Sequence, residues 1–305
     1  MRDLISIDDL SHSDVEAIHQ MAEIFLKTPR QHFSDLKDKT LINFFFENST
    51  RTRISFETAA QRMGVKVVNL DVSLSSLKKG ESIIDTAKTI NAMSPDFAVI
   101  RHNSSGIVSL LKKHFKSSLI NAGDGTNEHP SQALLDAFVI KKNNRKTPEK
   151  IAGLKIVICG DILHSRVAHS NIKLLKKLGG EISVVTLPTL MPKDFAQFLW
   201  QKFQIKTFNK LEEAIENADV IMMLRIQQER MQGSYIPSPS EYFQCFGMNH
   251  EKLKLAPKAI IMHPGPINRD VEISSALADD ESVSMILNQV EAGVAVRQAI
   301  LKFLS

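Results

Sequence analysis

A chain of 305 residues, 43% hydrophobic and 24% charged, has room for two α/β domains and the balance of a soluble globular protein. The net charge of +4 is mild, and the basic run 141–146 reads as a solvated helix end, so charge does not point to nucleic acid. Two distant cysteines, Cys159 and Cys245, lack zinc-spaced neighbours, and neither a membrane-length apolar segment nor a signal-peptide core is present, so a cytoplasmic protein without membrane attachment is expected.

Along the chain, short runs rich in β-branched and aromatic residues alternate with longer amphipathic ones. Strands are predicted at Thr40–Phe46, Lys66–Leu70, Phe97–Arg101 and Leu119–Ala122. Helices are predicted between them at Ile54–Met63, Ile83–Met93 and Gly106–His114. A helix from Ser131 to about Lys141 leads into a second series. Its strands are Lys155–Cys159, Ile182–Thr186, Asp219–Met223 and Ala259–Met262, and its helices lie near Arg166–Leu178, Pro192–Gln201 and Leu211–Glu216. An amphipathic helix follows over Ser284–Phe303. Such alternation requires parallel sheets covered by helices. The expected fold class is therefore α/β, with two doubly wound parallel-sheet domains carrying helices on both faces. Segments 72–82 and 227–257 lack the rhythm and read as functional lids.

In open α/β sheets, ligands bind at the carboxyl ends of strands, and the cationic residues gather there. Ser49-Thr50-Arg51-Thr52-Arg53 joins the first strand to a helix, whose start already attracts anions through unpaired N–H groups. Arg forks grip phosphate oxygens, and Ser and Thr add short donors. The competing reading is an ordinary N-cap on a solvated helix face, although a cap needs only one hydroxyl. Arg101 ends a strand and by itself could be a surface charge. His129 precedes Pro130, which suits a first helical position. It reads either as a buried histidine capping its own helix or as a donor to a carbonyl oxygen, with Gln132 as an amide partner. Gly160-Asp161 through Arg166 has strand–turn–helix form but one glycine where a dinucleotide fingerprint has three. His164 and His169 are spaced as solvated residues rather than metal ligands. Arg225-Ile226-Gln227 and His263-Pro264-Gly265-Pro266 occupy further strand ends. With Lys79, these cations are expected to converge on one interdomain cleft with no matching carboxylate cluster, which implies a polyanionic ligand.

These motifs resemble the aspartate/ornithine carbamoyltransferase family, and within it the aspartate-specific catalytic chains. The resemblance rests on Phe46–Arg53, Lys79-Gly80-Glu81, Arg101-His102, Asn121–Gln132, Arg225-Ile226-Gln227 and His263–Arg269, in family order along nearly the whole chain. The ornithine enzymes carry His-Cys-Leu-Pro where this chain has His263-Pro264, and a different substrate loop at Arg225. A dicarboxylate second substrate is therefore implied.

By resemblance, Ser49, Thr50, Arg51 and Thr52 hold the phosphate of carbamoyl phosphate, helped by Arg101. Thr52, Arg101 and His129 face its carbonyl oxygen, and Gln132 with the Gly265 and Pro266 carbonyls holds the carbamoyl nitrogen. Arg166 takes the α-carboxylate of L-aspartate, and Arg225 and Gln227 the β-carboxylate. Ser75 and Lys79 belong to a loop that the family lends to a neighbouring subunit. Residues 1–133 with the helix 286–305 would bind carbamoyl phosphate, and 134–285 would bind aspartate. The implied reaction is carbamoyl transfer to aspartate in pyrimidine biosynthesis, with no metal and no organic cofactor. Glu47 is a candidate partner for a lid cation. The family implies a homotrimer or paired trimers and leaves room for a regulatory chain. The alternatives are a sibling enzyme with another amino acid acceptor and a non-catalytic polyanion-binding subunit.

Overall fold

A computed structural model describes residues 2–71, 80–227 and 238–305. The chain divides into two compact units, Met1–Leu135 with Glu291–Ser305, and Asp136–Val290.

The first unit contains α1 (His12–Lys27), β1 (Thr40–Phe45), α2 (Thr50–Arg62), β2 (Lys66–Asp71), α3 (Ile83–Ala92), β3 (Phe97–His102), α4 (Ile107–Leu111) and β4 (Ser118–Asp124). α5 (Pro130–Asn143) begins in this unit and continues into the second. The strands form a parallel sheet in the order β2-β1-β3-β4. Its central strands are apolar because both faces are covered: Phe97, Val99 and Ile100 of β3 and Leu41 and Phe44 of β1 are fully buried. Each such side chain contributes about 1.5–3 kcal/mol relative to exposure.

The second unit continues with β5 (Lys155–Cys159), α6 (Arg166–Lys177), β6 (Glu181–Val185), α7 (Lys193–Phe203), β7 (Lys206–Phe208), α8 (Leu211–Ile215) and β8 (Val220–Met223). After these come α9 (Pro239–Phe246), α10 (His250–Leu253), β9 (Ile260–Met262) and α11 (Ser275–Ala278). Its parallel sheet has the order β7-β6-β5-β8-β9. α12 (Ile286–Leu304) starts in this unit and ends in the first, where Val296, Ala299, Ile300 and Leu301 are fully buried.

Both sheets reverse direction at an internal strand. From β1 the chain steps to β2 at one edge and then crosses to β3 on the other side. From β5 it builds outward through β6 and β7 before returning to β8. Because parallel crossovers are right-handed, the reversal puts helices on both faces of each sheet. It also opens a crevice beyond the carboxyl ends of β1 and β3 in one sheet, and of β5 and β8 in the other.

Several expectations need revision. The segment 238–253, read as an irregular lid, forms α9 and α10, and α9 starts with Ser238 and Glu241 capping each other reciprocally. The three-residue edge strand β7 and helix α1 were also unforeseen. Cys159 is buried with its Sγ 3.7 Å from the Phe246 carbonyl, and burial pushes its thiol up to about 12; Cys245 is exposed, and both are free. Among the described residues no helix is long and apolar enough to cross a membrane.

Candidate active site

In the first unit, β1 ends at Phe45 and α2 begins at Thr50, so Ser49–Arg53 stands at the reversal point of the sheet. Ser49 is the N-cap of α2, and its carbonyl accepts from Arg53 N–H at 3.1 Å, yet its hydroxyl makes no capping bond. The serines that start α1, α3, α6 and α9 all cap with their side chains. Thr52 is buried at 8% exposure, whereas Thr50, Arg51 and Arg53 are exposed. Ser49 is therefore the cap by position and through its carbonyl, while its hydroxyl is not used in capping. The first turn of α2 presents N–H groups, hydroxyls and guanidinium forks together, a combination suited to an anion with several oxygens.

Arg101 lies in β3, beside β1, and its Nη1 donates to the Ala122 carbonyl at 3.1 Å. Its Nε sits 2.7 Å from Glu47 Oε1, a close ion pair rather than an aligned hydrogen bond, with both side chains mostly buried. A single carboxylate, not a cluster, stands at this point, and Glu47, expected to partner a lid cation, pairs here with Arg101. Next door, burial holds the His102 ring below the usual imidazole range, and its Nδ1 accepts Ser104 N–H at 2.8 Å. Above that lowered range the ring is neutral and adds no charge beside Arg101.

His129 is 3% exposed and directly precedes α5. Its carbonyl accepts from Gln132 N–H at 2.9 Å and Ala133 N–H at 3.2 Å, so the backbone does the capping. The ring has Ser131 Oγ 3.4 Å from Nδ1. The neighbouring Glu128 acts elsewhere, since its carboxylate accepts from Ser6 Oγ at 2.6 Å and Ile7 N–H at 2.9 Å and so ties down the start of the chain. Gln132 is 8% exposed on the first turn of α5. The first unit thus collects Ser49 through Thr52, Arg101, His129 and Gln132 at the carboxyl edge of one sheet.

In the second unit, Gly160 follows β5 with φ +125°, and a Cβ there would meet the Leu224 carbonyl at 2.8 Å. That close approach of two strand ends frames the turn to α6. Arg166 is its first residue, only 4% exposed, a burial that a guanidinium tolerates only with acceptors or anions around it. His164 is not a solvated bystander, because its Nδ1 lies 2.9 Å from Oδ1 of the buried Asp161. His169 packs edge-on against Phe195, with ring centroids 6.1 Å apart. Arg225 and Gln227 follow β8, both half-buried. After β9, Gly265 is half-buried and Pro266 exposed. Ser75 and Lys79 lie outside the described residues.

Two groups escaped the sequence reading. Glu272 is fully buried and accepts from His263 Nε2 at 3.1 Å and Asn268 N–H at 2.5 Å. Asp136 is also fully buried and accepts from Asn171 Nδ2 at 2.8 Å and Gln289 Nε2 at 2.7 Å. Isolated acidic residues carry no motif, and only the fold reveals their partners.

Residues 2–142 match the carbamoyl-P binding domain of aspartate/ornithine carbamoyltransferases, and residues 152–304 match the Asp/Orn binding domain. The aspartate carbamoyltransferase catalytic subunit of Parvibaculum lavamentivorans is 49% identical over all of this chain and 91% of its own length. Aspartate transcarbamoylase from Trypanosoma cruzi, solved with carbamoyl aspartate and phosphate, superposes with a TM-score of 0.85 at 29% identity, covering 98% of this chain and 94% of that one. The catalytic subunit of the M. jannaschii aspartate transcarbamoylase gives 0.82 at 35% identity, covering 100% and 98%. This chain belongs to the aspartate/ornithine carbamoyltransferase family.

Proposed function

We propose that the protein transfers the carbamoyl group of carbamoyl phosphate to the amino group of L-aspartate, giving N-carbamoyl-L-aspartate and phosphate for pyrimidine synthesis. The observation that carries this reading is the start of α2, where the Ser49 hydroxyl takes no part in capping and Arg51 and Thr52 share the first turn. The near-half identity to aspartate carbamoyltransferase catalytic subunits supports the choice of acceptor.

In this reading the first unit binds carbamoyl phosphate through Ser49, Thr50, Arg51, Thr52 and Arg101. Thr52, Arg101 and His129 donate to the carbonyl oxygen, and Gln132 with the Gly265 and Pro266 carbonyls accepts from the carbamoyl nitrogen. The second unit binds aspartate, with Arg166 on the α-carboxylate and Arg225 and Gln227 on the β-carboxylate. The neutral amine attacks the carbonyl carbon, the new C–N bond forms, and the C–O bond to phosphate breaks. The departing phosphate takes the proton that the amine gives up. Donors already in place stabilise the oxyanion, and removing one costs about 3–4 kcal/mol. Orientation of the two anions supplies much of the remainder.

An acceptor panel tests this directly. L-Aspartate is expected to be carbamoylated at least about a thousandfold more efficiently than L-ornithine, since a site built to pair two carboxylates leaves its cations unmatched with a cationic side chain. Equal rates with ornithine would favour the sibling enzyme. Tight binding of a phosphonate-bearing aspartate analogue without turnover would favour a non-catalytic subunit.

The proposal includes a cytoplasmic homotrimer in which the loop bearing Ser75 and Lys79 serves the adjacent subunit. Reassembled mixtures of inactive Arg51→Ala and Lys79→Ala chains should regain part of the activity, because one kind of site then has both residues intact. Mixtures that stay inactive would mean that each chain completes its own site.

A further inference from the structure

The loop after β9 is held by bonds through one residue, His263. His263 is 1% exposed, and three of its atoms are engaged. Its backbone N–H donates to Gln289 Oε1 at 2.9 Å, and its Nδ1 accepts Gly265 N–H at 2.9 Å. Accepting that N–H fixes the proton on Nε2, which lies 3.1 Å from Glu272 Oε1. The same Glu272 oxygen accepts Asn268 N–H. One carboxylate oxygen therefore grips both ends of segment 263–268, and the imidazole ring braces its middle.

The anchorage continues inward. Gln289 donates from Nε2 to Asp136, which also accepts from Asn171 on α6, the helix that begins with Arg166. Glu272 Oε2 has no hydrogen-bond partner among the described residues, although the side chain is fully buried. A buried acceptor left unmatched works against stability. The pair is thus arranged around the loop rather than for its own best bonding.

We propose that His263 and Glu272 are positioning residues that fix the Gly265 and Pro266 carbonyls for the carbamoyl –NH2 group. The proposal rests on the proposed function, in which these carbonyls accept from that nitrogen. Neither residue touches substrate. Their joint effect is selectivity for a carbamoyl over an acyl phosphate that lacks N–H donors.

The test measures binding of carbamoyl phosphate, acetyl phosphate and inorganic phosphate to the full chain by calorimetry. Acetyl phosphate keeps the phosphate and carbonyl but replaces –NH2 with a methyl group. The parent protein should prefer carbamoyl phosphate. Glu272→Ala should lower that preference about 3- to 10-fold, the scale of one to two neutral hydrogen bonds, with phosphate affinity unchanged. Glu272→Gln should keep most of it, since an amide oxygen still accepts from His263 Nε2–H and Asn268 N–H. An unchanged preference in Glu272→Ala, or equal weakening of all three ligands, overturns the proposal. If Glu272→Ala does not fold, His263→Asn decides: its Oδ1 can still accept Gly265 N–H but the link to Glu272 is gone. A reduced preference then supports the proposal, and an unchanged one overturns it. A parent that does not distinguish carbamoyl from acetyl phosphate removes the carbonyl reading itself, which is a different failure.

Discussion

Replacing Arg51 with alanine is expected to lower kcat/KM for carbamoyl-aspartate formation by about a thousandfold or more, equivalent to roughly 4 kcal/mol of transition-state stabilisation. Arg51 is exposed on the first turn of α2, so its side chain supports little of the core. The melting temperature should therefore stay within about 2 °C of the parent, as for most surface substitutions. Arg51→Lys should recover only part of the loss, because an ammonium cannot grip two phosphate oxygens as a planar fork does. Near-normal turnover in Arg51→Ala would remove the phosphate assignment and with it the proposed reaction.

The second large effect is on stability. Gly160→Ala places a Cβ 2.8 Å from the Leu224 backbone carbonyl at a φ of +125°, which L side chains rarely adopt. Neither β5 nor β8 can yield easily: Leu224 N–H donates to the Cys159 carbonyl at 2.8 Å, and Gly160 N–H to the Val185 carbonyl at 3.1 Å. The expected cost is about 2–4 kcal/mol, a melting decrease on the order of 10 °C. Gly153→Ala is the control. Gly153 also has positive φ, +73°, but a Cβ there meets nothing within 4 Å. It should lose only about 1–2 kcal/mol from the backbone term. Equal melting decreases in the two variants would show that the contact with Leu224 does not matter.

Much of this architecture was legible because buried parallel strands read as continuous apolar runs. Phe97–Ile100, for example, cannot be mistaken for a half-exposed strand. The cationic residues were equally visible, since each follows such a run and strand ends are where ligands sit. What stayed hidden depended on pairing at a distance. The edge strand β7 has three residues, two of them exposed, and no pattern that short is distinctive. Helix α1 was missed although Ser11 and Asp14 form a reciprocal cap that the sequence displays. Within 227–257, expected to be a lid, Pro239 with Ser238 before it and Glu241 after it marks a helix start. Glu47 and Glu272 show a deeper limit: a carboxylate's partner, Arg101 or His263, is fixed only when the chain folds back upon itself.

The two places where the chain changes units, α5 and α12, have a consequence for biosynthesis. The helix that completes the first unit leaves the ribosome only after residues 136–290 have been translated. At ~5–20 residues per second that interval is on the order of ten to thirty seconds. Throughout it, the nascent N-terminal portion lacks the helix that contributes Ile300 and Leu301 to its interior. Chaperones that bind exposed apolar surface therefore have a defined target during translation, and it disappears only once residues 291–305 have emerged.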